Sequence, residues 1–246
     1  MVRPGGTAPC SRPPKYLFIM PVLQLPIFPL PLVLFPGAPQ LLHIFEPRYR
    51  AMLTDCMDGD RRFGVSWVDV EAESDPTPRA GGVGCVAYVQ ATTALADGRS
   101  NILAVGEDRY VLREYMEAGR PYRVAKVETF DDDPEFDSEA TVLGERVGQA
   151  FTKLATILGA LNDSSAASLE LARDPKALSF QVAAAIEIDA QAKLELLALR
   201  STLGRLRALE RLLRMVADGL APRAEVHVRA RRNGKGGENP AIAKGA

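Results

Sequence analysis

LPIFPLPLVLFPG, residues 25–37, lies inside a run from Tyr16 to Ile44 that contains no Asp, Glu, Lys or Arg. A run of this length is long enough to cross a bilayer as a helix. Its prolines exclude that helix, because each lacks a backbone N–H and clashes with the preceding turn. The run also lacks the proline-poor segment and the small-residue cleavage site of a secretion signal. The stretch therefore predicts two short, partly buried strands with prolines at their ends or edges, the second over residues 32–37.

The segments that follow predict an all-β first half with one short helix. Residues 46–57 begin with Glu-Pro, which suits a helix start, and place four apolar side chains on one face. Residues 62–70 alternate in polarity, residues 84–115 hold at least three strands with an Asp-Gly hairpin turn, and residues 121–130 add one more. Several short strands in succession favour a closed or nearly closed barrel.

The second half predicts helices. After the acidic residues 131–139, leucines and other apolar residues recur every three or four positions up to about Gly219. Asp174 followed by proline marks one helix start, with the aspartate as N-cap. We therefore expect five segments: a disordered extension over residues 1–19, a β-barrel over 20–130, an acidic linker over 131–139, a helical bundle over 140–220 and a disordered basic tail over 221–246.

Charge is distributed unevenly along the chain, although the formal net charge is only −1. Residues 1–15 carry three basic and no acidic residues, and residues 221–246 carry six basic and two acidic ones. The body between them holds 21 basic and 29 acidic residues, which counts against nucleic acid binding by the body. The three cysteines are widely spaced and form no C-x-x-C pair, which indicates a reducing cytoplasm rather than a disulfide framework.

No group of residues in the sequence has the spacing of a catalytic or metal site. His43 and Glu46 could form a metal or acid–base pair, but a third ligand is missing and Pro47 turns the backbone beside them. Cys56 lies on the apolar face of its predicted helix, where a cysteine is ordinarily inert. Phosphate-loop, G-x-S-x-G and S-x-x-K motifs are missing from the sequence. We expect no catalytic residue, no metal and no cofactor.

Residues 25–53 resemble the signature of the Lon amino-terminal domain, the substrate-binding part of Lon proteases. The resemblance consists of an L-P-x-F-P-L start, a V-L-F-P-G turn and an I-F-E-P-R-Y-R helix entry, in that order. GEDRYVL at residues 106–112 is similar to a later strand of the family, and residues 174–199 are similar to its helical segment. The resemblance implies structural roles for the signature residues of this chain: Pro26, Phe28, Pro29, Pro36, Gly37, Glu46, Pro47, Arg48, Tyr49 and Arg109.

The resemblance implies an α+β fold, in which a β pseudobarrel similar to the RNA-binding PUA fold precedes a C-terminal α-helical bundle. It also implies that the module binds unfolded or tagged polypeptide, as an adaptor or chaperone-like protein with polypeptide clients or a protease partner. The sequence contains no ATPase phosphate loop and no Ser-Lys peptidase motif, so we expect a stand-alone, non-enzymatic, cytoplasmic protein that does not enter the membrane. An RNA-binding module is the alternative, and the leucine-rich last helix leaves a weak homodimer open.

Polypeptide binding needs exposed apolar area, because unrelated extended chains share mainly apolar side chains and backbone groups. The Pro-rich stretch and its surroundings offer the most, so we expect the binding surface there, at Leu34, Phe35, Pro36, Phe45, Tyr49 and Trp67. The alternative is that these six side chains fill the barrel core. In that case the site lies elsewhere, for example in the cleft between barrel and bundle.

Overall fold

The described part of the chain forms six β-strands and five α-helices, an α+β fold as the sequence predicts. The computed structural model describes residues 22–70, 76–134, 137–161 and 170–234, so the predicted extension over residues 1–19 lies outside it. The elements are β1 Val22–Leu30, β2 Pro39–Ile44, α1 Pro47–Asp58, β3 Arg62–Trp67, β4 Val83–Ala94, β5 Ser100–Met116, β6 Val124–Phe130, α2 Asp137–Leu161, α3 Pro175–Ala185, α4 Ala190–Ala198 and α5 Thr202–Gly234.

The strands close into a barrel because the long strand β5 has partners at both of its ends. The sheet has the order β2-β5-β4-β3-β1-β6, and β5 also pairs with β6. Residues 100–105 of β5 pair with β2, and residues 109–116 pair with β6. Five strands therefore form a closed ring, and β2 extends the sheet beyond that ring. This arrangement confirms the predicted pseudobarrel, although residues 84–115 belong to two strands, β4 and β5, and not to the three or more that the sequence predicts.

β1 accommodates two prolines because each half of the strand has one described strand partner. Residues 22–26 pair with β6, and residues 27–30 pair in parallel with β3. Pro26 and Pro29 lack N–H donors, and a strand tolerates such residues where one of its sides is not used for pairing. The first predicted strand thus forms in spite of its prolines.

The predicted second strand over residues 32–37 is wrong. The chain is irregular there, and the next strand, β2, begins at Pro39. Leu34 packs in the barrel core, whereas the neighbouring Phe35 packs with the helices that follow the barrel. Gly37, with a φ of +75°, then turns the chain into β2. The apolar run exists because two cores need side chains at this point, and not because the segment joins the sheet.

α1 packs its apolar face into the barrel core. Pro47 occupies the first turn, where a missing N–H has no cost, and the carbonyl of Glu46 accepts from the N–H of Arg50 at 2.9 Å. The Glu46 carboxylate also accepts from Nε of Arg48 at 2.9 Å. The ring of Tyr49 lies 4.3 Å from that of Phe28 in β1, centroid to centroid. The buried face of the helix consists of Tyr49, Met52, Leu53 and Cys56.

The helices after the barrel share a second apolar core. Asp174 accepts from the N–H of Ala177 at 2.7 Å at the start of α3, and Asp189 accepts from that of Ala192 at 2.8 Å at the start of α4. The long helices α2 and α5 pack against each other and against α3. None of the helices in the described ranges is long and apolar enough to cross a membrane.

α5 is longer than the sequence predicts. The leucine spacing predicts an end near Gly219 and a tail from residue 221, but the helix continues to Gly234. It includes Pro222, although a proline in a helix interior costs about 3 kcal/mol. Residues 223–233 are rich in Arg and Ala, which favour a helix without any apolar periodicity. The rest of the predicted tail, residues 235–246, lies outside the described part of the chain.

Candidate functional site

The barrel and the helices meet in a shared apolar core. Phe35 is fully buried in the helical cluster, and the half-buried Val33 and Val83 of the barrel half pack against the same cluster. The ring centroid of Phe35 lies 6.5 Å from that of Phe180 in α3. Phe35 therefore joins the two halves of the protein instead of forming an exposed surface.

Asp132 joins two arginines from distant parts of the chain. Its Oδ1 accepts from Nη2 of Arg109 in β5, and its Oδ2 accepts from Nη2 of Arg205 in α5 at 2.6 Å. The hydroxyl of Thr202 donates to the same Oδ2 at 2.5 Å. The Asp132 side chain is only 8% exposed, and both guanidinium groups are buried. Asp132 is therefore not a solvated residue of the predicted acidic linker, because its charge compensates two buried cations.

Neutral oxygens of the protein accept the hydrogen bonds from the two guanidinium groups that the single carboxylate does not accept. Nη1 of Arg109 donates to the backbone oxygens of Leu197 and Leu199 at 2.9 and 2.5 Å. Nη1 of Arg205 donates to the same Leu199 oxygen at 2.9 Å, and its Nε donates to the hydroxyl of Ser179 at 2.7 Å. These bonds tie β5, α3, α5 and the segment after α4 into one cluster, which we call the arginine cluster.

Burial and hydrogen bonding act in opposite directions on the pKa of Asp132. Burial by itself raises this pKa, but hydrogen bonds from Arg205 and Thr202 and the charges of both arginines outweigh it, so the pKa lies below its ordinary value. Burial lowers the pKa of Arg109, and the charge of Asp132 opposes that shift. The ring of Phe180 lies 3.9 Å from Cζ of Arg205 and adds a cation–π contact. The donors of the arginine cluster bond to groups of the protein itself, so we interpret the cluster as a structural joint.

The outer face of β2 carries exposed apolar side chains. Leu41 is 75% exposed, and Phe45, the first residue after the strand, is 58% exposed. Successive side chains of a strand alternate between its faces, so Leu41, His43 and Phe45 lie on the same side. Leu41 lies opposite the half-buried Leu103 of β5, which in turn lies opposite Ala91 of β4. We call Leu41, His43 and Phe45 the outer β2 face.

The backbone edge of β2 that faces away from β5 has no strand partner within the described residues. The N–H of Gly106 donates to the oxygen of Ala38 at 3.0 Å, and ladder bonds between antiparallel strands involve every second residue. The N–H and C=O groups of Leu41 and His43 therefore point away from β5. In agreement, the Leu41 oxygen accepts from the side-chain amide of Gln40 at 3.0 Å. An exposed edge strand with apolar side chains is an arrangement that soluble proteins ordinarily avoid.

A polar cluster lies beside Phe45, near the tip of the β4–β5 hairpin. The rings of His43 and Phe45 stack with centroids 6.0 Å apart. Nδ1 of His43 lies 2.7 Å from Oδ1 of Asn101, and its Nε2 lies 3.5 Å from Nη1 of Arg99. Because a guanidinium can only donate, Nε2 is the acceptor in its contact with Arg99. Arg99 also donates to Asp97, which lowers the pKa of Asp97 to about 2.

A cleft of about 480 Å³ separates the barrel from α4. The half-buried Trp67 lines it, together with Val83 of β4 and with Leu194 and other residues of α4. One wall of the cleft is fixed because the hydroxyl of Tyr115 donates to the oxygen of Pro78 at 2.8 Å. This is the cleft between barrel and helices that the sequence offers as the alternative site, and it shares no residue with the outer β2 face.

The structure does not bring the six predicted binding residues together. Pro36 is half-buried at the turn before β2, Trp67 lines the cleft, and Phe45 belongs to the outer β2 face. The other three are buried: Leu34 and Tyr49 fill the barrel core, as the alternative expects, whereas Phe35 lies in the core of the helices. Leu34 and Phe35 are buried because the Pro-rich segment lies between the two apolar cores and supplies a side chain to each, and Tyr49 is buried on the inner face of α1.

Leu41 is an apolar surface residue that the sequence reasoning missed. Leu41 and Leu42 are adjacent, and a strand points one of them inward and the other outward. Nothing in the PQLLHI segment shows which leucine faces water, because that depends on the register of β2 against β5. The one usable signal is that two consecutive leucines in a strand cannot both be buried on one face.

The catalytic and metal candidates of the sequence do not form such a centre in the described part of the chain. No cluster of three His, Cys, Asp or Glu side chains there is placed to hold a metal ion. Burial, followed by the charges of Asp60 and Asp55, raises the pKa of the Cys56 thiol to about 12, so the thiol is not a nucleophile at neutral pH. Burial also raises the pKa of Cys85. His43, the other candidate, bonds to Asn101 rather than to an acid or a thiol.

The class of fold is defined by a closed five-stranded barrel and a helical half that packs on it, with the arginine cluster joining the two. The same class is reached through the sequence, because the family model of the ATP-dependent protease La (LON) substrate-binding domain matches residues 24–215. The chain therefore belongs to the Lon substrate-binding domain family, which confirms the resemblance of residues 25–53.

Individual proteins are similar to this chain in sequence or in fold. Lon protease 2 of Herpetosiphon aurantiacus is 27% identical over 201 residues, which make up 80% of this chain and 24% of that protein. The chain thus spans about a quarter of the length of this relative. A Lon N-terminal domain protein from Xanthomonas campestris has the same fold, with a TM-score of 0.55, 21% identity, and coverage of 76% of this chain and 96% of that one. The N-terminal domain of Mycobacterium avium complex Lon protease matches with a TM-score of 0.56 at 16% identity, over 78% of this chain and 98% of that one.

Proposed function

We propose that this protein binds unfolded or tagged polypeptide through the outer β2 face. The observation that carries the proposal is the exposure of Leu41 and Phe45 beside a strand edge that has no strand partner among the described residues. Exposed apolar side chains on a sheet edge favour association with another chain. Membership of a family described as a substrate-binding domain supports the same function.

We further propose that the protein acts in the cytoplasm as an adaptor or chaperone-like module, with no catalytic step of its own. The buried, protonated thiol of Cys56 and the engagement of His43 with Asn101 support a binding role over a hydrolytic one. The partners in this role are polypeptide clients or a protease that receives them.

The test uses a permanently unfolded client, reduced and carboxymethylated α-lactalbumin, with a fluorescent label and anisotropy as the readout. Leu41→Ser and Phe45→Ser should each weaken binding by about tenfold or more. Burying a Leu or Phe side chain contributes roughly 1.5–3 kcal/mol, and 1.4 kcal/mol corresponds to a factor of ten. Both side chains are exposed, so the variants should melt within a few degrees of the wild type.

Val142→Ser is the matched control, because Val142 is exposed to a similar extent on α2, away from the strands. It should bind the client as the wild type does, within about twofold. If all three variants bind equally well, the outer β2 face is not the site. In that case Trp67→Ala, which alters the cleft beside α4, becomes the variant to measure.

RNA binding is the alternative function, and the same proteins can be tested for it. Retention of single-stranded RNA on a filter at two salt concentrations should be weak for the wild type, because most basic side chains of the barrel surface are paired with carboxylates. Strong, salt-dependent retention would favour the RNA-binding function instead.

A further inference from the structure

We propose that an extended client segment adds to the outer edge of β2 as a further strand, with apolar side chains opposite Leu41 and Phe45 and a carboxylate opposite His43. This inference rests on the proposed function and specifies the class of polypeptide that the surface selects. It follows from three features of the edge: its backbone groups, its side-chain pattern and its charge.

The backbone groups of the edge fit an extended chain and no other element. The N–H and C=O groups of Leu41 and His43 point away from β5, in line with one another and at the spacing of a ladder. A helix has its own backbone groups already bonded and cannot pair with such a row, whereas an extended segment can. The Gln40 amide now bonds the Leu41 oxygen, and an incoming N–H would take its place. The edge therefore selects an extended segment, and an unfolded chain supplies such segments along its whole length.

The side chains of the edge define a pattern for that chain. Residues directly opposite each other on paired strands interact, so the client positions facing Leu41, His43 and Phe45 lie two residues apart on one face. Apolar residues suit the positions facing Leu41 and Phe45. The sequence that fits is apolar-x-acidic-x-apolar, which reads the same in both directions, so a parallel and an antiparallel client satisfy it equally.

Charge selects a carboxylate for the central position. Arg99 is half exposed beside His43, and the guanidinium of Arg50 lies against Gly98 at the tip of the same hairpin, where an added Cβ would be 2.2 Å from its Nη2. With Asp97 as the one acidic residue among these groups, the hairpin tip is positive, although the body of the chain carries more acidic than basic residues. An acidic side chain in the client complements this local charge.

The first experiment uses a blocked, amidated nonapeptide of threonines with valine at its third and seventh positions and glutamate at its fifth. Its amidated end removes the terminal carboxylate as a source of negative charge. A series of variants of this peptide carries one N-methyl group each, on successive backbone nitrogens. Within the central five residues, N-methylation should weaken binding at least tenfold at every second residue. At the residues between them it should weaken binding less than threefold. Replacing the glutamate by glutamine should weaken binding at least threefold. Peptide affinity is measured by competition with the labelled unfolded client.

The second experiment alters the edge of the protein itself. His43→Ala removes the ring and keeps the backbone N–H, whereas His43→Pro removes both. A proline is tolerated on an edge strand where its nitrogen faces away from the ladder. His43→Pro should bind the client at least tenfold more weakly than His43→Ala, and both variants should show the far-UV spectrum of the wild type. If His43→Pro does not fold, the N-methyl series decides alone.

The outcomes separate this inference from the proposed function. If the client binds and Phe45→Ser weakens it, but N-methylation has no alternating effect, strand addition is wrong while polypeptide binding by this face stands. Equal affinity for the glutamate and glutamine peptides overturns the acidic position. A dimer of this chain that His43→Pro abolishes would make a second copy the occupant and overturn the inference. If the wild type binds neither client nor peptide, the proposed function itself fails.

Discussion

Replacing Asp132 by asparagine should destabilise the protein more than any other exchange of one acidic side chain for its amide in the described part of the chain. The exchange keeps the volume of the side chain but leaves Arg109 and Arg205 buried without a counter-charge. It also places an amide donor where two guanidinium groups already donate. Removing one partner of a buried ion pair costs about 3–5 kcal/mol. For a chain of this size that corresponds to a fall in Tm of roughly 6–20 °C.

The assay is urea unfolding followed through the fluorescence of Trp67, the single tryptophan of the chain, and in parallel through far-UV circular dichroism. Asp133→Asn is the control, because Asp133 is exposed and its backbone N–H, which donates to the oxygen of Arg200 at 2.7 Å, survives the exchange. The control should lie within about 0.5 kcal/mol of the wild type. If Asp132→Asn costs no more than Asp133→Asn, the buried arginine cluster does not hold the two halves together.

A double-mutant cycle tests whether the two charges act on each other. Arg205→Met removes one guanidinium and keeps most of its apolar stem. In the wild-type background this variant leaves Asp132 with one arginine, whereas in the Asp132→Asn background it removes an uncompensated charge. Residues in one ion cluster show coupling energies of about 0.5–3 kcal/mol. Additive effects of the two substitutions would contradict the cluster.

Three further predictions concern acid stability, glycine packing and thiols. The pKa of Asp132 in the folded protein lies below the value of about 3.9 for an unfolded chain. The difference in unfolding free energy between the wild type and Asp132→Asn should therefore be constant above roughly pH 5 and should shrink as the pH falls below about 4. An unchanged difference at pH 3, measured by urea unfolding, would contradict this. Gly106→Ala should lower the free energy of unfolding by more than about 2 kcal/mol, because the added Cβ would lie 2.1 Å from a backbone oxygen. Gly219→Ala, at an open position of a helix, should raise the free energy of unfolding by up to about 1 kcal/mol. In a Cys10→Ser variant at pH 8, a disulfide reagent that reacts with thiols should label no cysteine of the native protein and two cysteines after unfolding in urea. The reason is that burial raises the pKa of Cys56 to about 12. Rapid labelling of the native protein would show that Cys56 is accessible.

Local rules in the sequence predicted the elements whose ends depend on their own residues. Pro47 and Asp174 each start a helix at the predicted place, because a proline in the first turn and an aspartate cap act within four residues. The prolines of residues 25–37 excluded a membrane helix for the same local reason. The motif of residues 25–53 was sufficient to indicate the family, because three spaced elements in a fixed order are specific.

The end of α5 and the strand over residues 32–37 were mispredicted because the competing effects are not local. Nothing in residues 32–37 distinguishes a buried connection from a buried strand, since both are apolar and contain β-formers. The helix continues past Gly219 and Pro222 because good helix formers follow, and apolar periodicity, the signal used to place its end, reports burial and not helix formation.

The sequence by itself determined the α+β class, the helix starts and the family, because these follow from dihedral preferences, capping and spacing along the chain. Only the tertiary structure decided whether Asp132 and Leu41 are buried, because their local sequence leaves both possibilities open. Asp132 looks like one of three equivalent aspartates until Arg109 and Arg205, 23 and 73 residues away, are brought against it. Leu41 looks like a core leucine until the register of β2 on β5 turns it outward. Burial is a property of how distant segments pack, and a site made by burial or exposure appears only when the barrel closes and the helices dock on it.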